Sequence, residues 1–188
     1  IKLLFNPFYK IAGWKAALLG LAIACLVTVV GHFSGTAFFG MEVKFVRPLS
    51  WGTAFSVHGI GLLSYTVVMY LIALIFARRV RFQDILGTVT LSRYPLLFAA
   101  IPGFFVKLPE VGLDPYGLNM SEMMGFFVPV LISGVIMLLF TIWSLVVMFH
   151  GFKTSTGLKG TKCGIGYALS IVLSEILTLV IIFNMVGM

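Results

Sequence analysis

Five runs of about twenty predominantly apolar residues constrain this chain more than any other feature. They fall at roughly 16–35, 55–77, 85–106, 125–149 and 164–185. A helix needs about 20 such residues to cross about 30 Å of hydrocarbon, so each run is long enough to span a bilayer. Of the 188 residues, 60% are hydrophobic and 10% charged, whereas a soluble domain averages about 25% charged. So few charges cannot keep this much apolar surface in water. The fold class expected is all-α: a polytopic membrane protein with a bundle of five transmembrane helices and a short N-terminal interfacial helix. The whole chain, 1–188, reads as one five-span membrane domain. Its first run is not followed by a small-residue cleavage site and reads as a retained span.

Basic residues then orient the spans. Lys2, Lys10 and Lys15 precede the first run; Arg78, Arg79 and Arg81 lie between the second and third; Lys153, Lys159 and Lys162 lie between the fourth and fifth. The opposite side carries Lys44, Arg47 and Lys107, so the division is nine against three and alternates without exception. The positive-inside rule places the N-terminus in the cytoplasm and the C-terminus outside the inner membrane. Although the net charge is +7, no block of five or six like charges is present to bind nucleic acid. Cys25 and Cys163 are poorly placed to form a disulfide.

Near the start, Asn6 can cap a helix and Pro7 suits its first turn. Phe8, Tyr9, Ile11 and Trp14 alternate with Lys10 and Lys15, as in a helix lying among headgroups. Early turns of the first span with aromatic anchors are the alternative. In the first outer loop, alternation at Glu42–Val46 allows a short hairpin. Gly31 and Gly35 in "GHFSG" are spaced to let another helix approach closely.

Two charges lie well inside expected spans. Arg93 is about eight residues into the third, or roughly 12 Å, and Glu175 about eleven residues into the fifth, or roughly 16 Å. A lone charge at such depth costs about 2.5–3.5 kcal/mol on insertion scales. Opposite sign and matching depth predict contact between spans three and five through an intramembrane Arg93–Glu175 ion pair. Arg93 could instead snorkel to the headgroups. Alternatively, residues 80–93 could form a surface helix, with Pro95, Pro102 and Gly103 marking a broken segment buried among neighbours. On the outer side, His32 and His58 are expected at similar depth as a polar pair, with Glu42 nearby. Two histidines and a carboxylate can hold a divalent metal, but their spacing does not demand one and no metal is expected. Neither catalytic motifs nor cofactor motifs appear.

"LSRYPLLFAAIPGF" and "TIWSLVVMFHGFKTSTGLKGTKCGIGYALSIVL" resemble the middle and end of the Yip family, the Ypt/Rab-interacting five-span membrane proteins. The similarity runs over roughly 5–186. It implies an all-helical bundle and, for eukaryotic members, vesicle traffic through Rab-type GTPases. The present sequence shows no long polar N-terminal extension of the kind those members carry. It therefore resembles the compact bacterial type, for which GTPase binding is not expected. The function expected is that of a non-enzymatic inner-membrane protein, organising the membrane or forming complexes with itself or other membrane proteins. A small transporter, channel or lipid-handling protein using Arg93 and Glu175 is the alternative.

Overall fold

The computed structural model describes residues 2–46, 49–77, 79–106 and 120–186. Among them, five segments are long and apolar enough to cross a membrane: Gly13–Ser34, Trp51–Phe76, Phe82–Phe105, Phe127–Thr156 and Gly160–Met185. The chain is a multi-pass membrane protein. Its helices are α1 (Lys2–Phe5), α2 (Gly13–Ser34), α3 (Trp51–Phe76), α4 (Phe82–Leu91), α5 (Leu96–Ala99), α6 (Met120–Thr156) and α7 (Gly160–Val186). Two short strands, β1 (Thr36–Phe39) and β2 (Glu42–Phe45), complete it with 3-10 turns at Pro7–Tyr9 and Ile101–Phe105.

The helix α4 sits at the centre, packed on α2, α3 and α6, while α7 packs chiefly on α3. Small residues bring these helices together. A Cβ on Gly20 would lie 2.3 Å from Thr90 Oγ1, and one on Gly87 would lie 2.8 Å from the Cβ of Ala16. On α7 a buried stripe at every fourth position, Gly166, Ser170, Ser174 and Thr178, faces α3. Small side chains let backbones approach closely where lipid provides no hydrophobic drive. The Ser170 and Thr178 hydroxyls donate to the Gly166 and Ser174 carbonyls of their own helix, at 2.7 and 2.8 Å.

Between α2 and α3 the chain turns back into the bundle. Gly35 ends α2 in the left-handed region, at φ 67°, a conformation glycine adopts without steric cost. The two strands pair antiparallel, Thr36 opposite Phe45 and Phe39 opposite Glu42, so Gly40 and Met41 form a two-residue turn. Thr36, Ala37, Phe38, Gly40 and Met41 are buried. The turn rests on Gly61, whose absent Cβ would stand 3.0 Å from the Gly40 nitrogen. Gly61 is ten residues into α3, about 15 Å from its start, so the hairpin reaches deep into the bundle. Irregular backbone is tolerated at such depth only where protein covers it, and protein covers this turn.

The short hairpin expected at Glu42–Val46 is present, with Glu42–Phe45 as its second strand and its turn inserted into the bundle. Two expectations change. Gly31 and Gly35 serve that hairpin instead of a neighbouring helix: a Cβ on Gly31 would stand 2.6 Å from the Phe38 ring, and Gly35 terminates α2. The N-terminal segment is α1 followed by a 3-10 turn rather than one continuous interfacial helix. Pro7 occupies the first turn as expected, but Asn6 makes no side-chain cap and Phe8 is buried. Tyr9 and Trp14 remain exposed, as membrane-facing aromatics are.

The third span is a broken helix. Beyond α4 the backbone tightens: the Arg93 N–H donates to Thr90 O at 3.2 Å and the Tyr94 N–H to Leu91 O at 3.3 Å. Pro95 has no N–H to donate. The Leu96 N–H turns to Arg93 O at 2.9 Å, which deprives the Ser92 carbonyl of its usual helical donor. Ser144 of α6 supplies the replacement, its hydroxyl donating to Ser92 O at 2.7 Å. This is how a membrane bundle re-satisfies backbone freed by proline.

Candidate functional site: a peptide held between two buried charges

Arg93 projects from the break and is fully buried. Its Nη1 donates to the Gly40 carbonyl at 2.6 Å and lies 2.7 Å from Met41 Sδ. The guanidinium carbon stands 5.2 Å from the centre of the Tyr65 ring, within cation–π range. Nε and Nη2 are buried and have no hydrogen-bond partner among the described residues. Glu175 approaches the same turn from α7. Its Oε2 accepts from the Tyr65 hydroxyl at 2.7 Å and from the Met41 N–H at 3.4 Å.

The Gly40 carbonyl and the Met41 N–H belong to one peptide group. The cation therefore holds its negative end and the carboxylate its positive end, an arrangement aligned with the peptide dipole of about 3.5 D. Hydrogen bonds to ionised groups are roughly twice as strong as neutral ones, and low dielectric strengthens both. Tyr65 joins the two charges from beneath. At contact distance, the one salt bridge among the described residues is Lys44–Glu42 at 2.9 Å. Arg93 and Glu175 are thus brought to one turn, with a peptide and a phenol ring between them. Spans three and five contribute to one buried cluster, through Ile85 and Val89 on one side and Cys163 on the other.

Gly40 is the residue this geometry requires. It adopts φ +64°, and a Cβ there would lie 2.2 Å from Glu175 Oε2. Gly61, Tyr65 and Gly40 were not singled out from the sequence. Signals for them were present: a two-residue Gly-Met step between "TAFF" and "EVKF" fits a tight hairpin turn, and Gly61 and Tyr65 share one helix face.

The histidines have separate partners. His58 lies one turn before Gly61, and its Nδ1 is 2.6 Å from Thr28 Oγ1. Its ring tilts against Phe38 with centroids 5.5 Å apart. His32 stacks on Trp51 at 3.7 Å. Glu42 is engaged by Lys44. Among the described residues no three His, Cys, Asp or Glu side chains group as metal ligands do.

The Yip1-domain family model matches residues 1–183. The chain belongs to the Yip1-domain family. That match covers the first four crossings, the inserted hairpin and nearly all of the fifth crossing. No curated protein and no solved structure matches the chain significantly. For this Yip1-domain chain, residue-level roles therefore rest on its own geometry.

Proposed function

We propose that this Yip1-domain protein is a non-enzymatic membrane subunit that organises the bilayer or assembles with itself or other membrane proteins. The observation that carries this reading is how the buried polar centre is used. Arg93 and Glu175 grip the chain's own hairpin at the Gly40–Met41 peptide, and Tyr65 contacts both charges. The outward surface is suited to contact within the bilayer. Leu131, Val135, Leu138, Leu139 and Ile142 form a long exposed apolar face on α6. Basic flanks support a cytoplasmic N-terminus and an inner-membrane location. The single-domain organisation over 1–188 is part of the same proposal.

Purification in mild detergent and crosslinking in native membranes test the assembly role. A defined oligomer or a stoichiometric partner is expected, and a strictly monomeric, partner-free particle contradicts it. Accessibility tags at the two ends test the orientation, with opposite sides expected.

A second reading, a small transporter or channel using Arg93 and Glu175, draws on the two unpartnered guanidinium donors. Intramembrane charges are functional candidates by default. Flux into liposomes that is lost in Glu175→Gln would favour it, and flux indifferent to that change removes it.

A further inference from the structure

We propose that the hairpin carries a binding site for one phospholipid with an ammonium headgroup, held at Glu42 and Lys44 with one chain in the groove on either side. Two open grooves border the hairpin. One, of about 430 Å³, lies against α7 and is walled by Phe39, Leu179, Ile182 and Phe183. The other, of about 500 Å³, runs between β2 and α6, past Val43, Val130, Gly134 and Leu138. Both have the size of small-molecule sites, which span about 300–1,000 Å³. Lys44 lines the two of them, so a molecule with one polar head and two apolar arms matches their layout.

Lys44 Nζ is 2.9 Å from Glu42 Oε2, both side chains half-exposed, and the same ammonium stands 5.5 Å from the centre of the Phe39 ring. Lys44 follows Met41 by three residues, roughly 10 Å of strand, and the turn lies about 15 Å into α3. The pair therefore stands near the end of the span, where headgroups meet chains. Charge facing hydrocarbon is costly, and a headgroup of matching charge pattern relieves that cost. A lipid phosphate accepts from the Lys44 ammonium while the lipid's own ammonium donates to Glu42, so that two ion pairs lie side by side. Phosphatidylethanolamine can donate in this way. The quaternary ammonium of phosphatidylcholine has no N–H, and phosphatidylglycerol sets a net anion against Glu42. Room favours a chain over a helix, because one helical turn about 10 Å across and 5.4 Å tall would take up most of either groove. This inference rests on the grooves and the Glu42–Lys44 pair, not on the assembly role.

The test offers the whole protein, in mild detergent, equal amounts of phosphatidylethanolamine, phosphatidylcholine and phosphatidylglycerol with the same chains, and reads the bound lipid by native mass spectrometry. One phosphatidylethanolamine should be retained with about tenfold preference over either competitor, the worth of a charge-assisted hydrogen bond. Glu42→Gln should abolish that preference and turn it toward phosphatidylglycerol, because Lys44 then lacks its carboxylate. Gly134→Leu should fold normally, since nothing lies within 4 Å of a Cβ there. Its side chain enters the α6 groove, so retention should fall severalfold. In native membranes, a photoactivated benzophenone at position 134 should attach to phospholipid. Equal retention of the three lipids, a phosphatidylethanolamine preference that survives Glu42→Gln, or full retention in Gly134→Leu overturns the proposal. Attachment at position 134 to a second copy or to another protein overturns it too.

Discussion

Arg93 and Glu175 hold opposite ends of a single peptide group, the cation on the Gly40 carbonyl at 2.6 Å and the carboxylate on the Met41 N–H at 3.4 Å. Neither charge needs a snorkelling path to water under this arrangement. Each is compensated by a backbone dipole end, by Tyr65 and by the other across the turn. The hairpin in turn owes its depth to them, because a bare turn could not leave its polar groups unsatisfied there.

Glycine at the turn should be irreplaceable. Gly40→Ala places a Cβ 2.2 Å from Glu175 Oε2 at a positive φ, combining backbone strain of about 1–3 kcal/mol with a steric clash at the carboxylate. The melting temperature in detergent should fall clearly. Gly59→Ala, where nothing lies within 4 Å of the added methyl, should be neutral or stabilising by up to about 1 kcal/mol.

Removing the hydroxyl that caps the broken third span should cost a measurable amount. Ser144→Ala leaves the Ser92 carbonyl without its 2.7 Å donor. Interhelical hydrogen bonds in membranes are worth about 0.6 kcal/mol on average and up to about 1.7, so a destabilisation in that interval is expected in an unfolding titration. Ser144→Thr, which retains the hydroxyl, should recover part of it.

Close packing of the first and third spans gives another test. Gly20→Leu would drive a side chain into Thr90 Oγ1 and the Leu91 backbone, 2.3 and 2.4 Å from the added Cβ. Backbone cannot yield as a flexible side-chain tip does, so separation of α2 from α4 is expected, with loss of the folded protein from detergent extracts. Leu19→Ala, on the lipid-facing side of α2, should fold normally.

Much of this architecture was legible from hydropathy alone, because crossing lipid demands long apolar runs and little else produces them. Arg93 and Glu175 stood out for the same reason: charge is conspicuous against hydrocarbon. The hairpin's depth was not legible. "TAFF" and "EVKF" indicate strands, but a loop that returns into the bundle looks like one that stays outside until the groups receiving it are known. Gly40 and Gly61 depend on that tertiary approach, and glycine is common throughout the chain. Tyr65 was hidden among the many aromatics that suit lipid contact. The break in the third span was foreshadowed by Pro95, Pro102 and Gly103, yet its repair by Ser144 comes from 52 residues beyond Ser92 in sequence.

The central claim is that Arg93 and Glu175 act as one unit through the Gly40–Met41 peptide, and a double-mutant cycle measures this most directly. Arg93→Met, Glu175→Gln and the combination would be compared by reversible unfolding in bicelles. Removing one member of a buried charge pair typically costs about 3–5 kcal/mol because the other is left uncompensated. Each single change should therefore be severe and the double change much less than their sum, with a coupling between about 1 and 3 kcal/mol. Costs that add to within about 0.5 kcal/mol would show two independent charges and contradict the account.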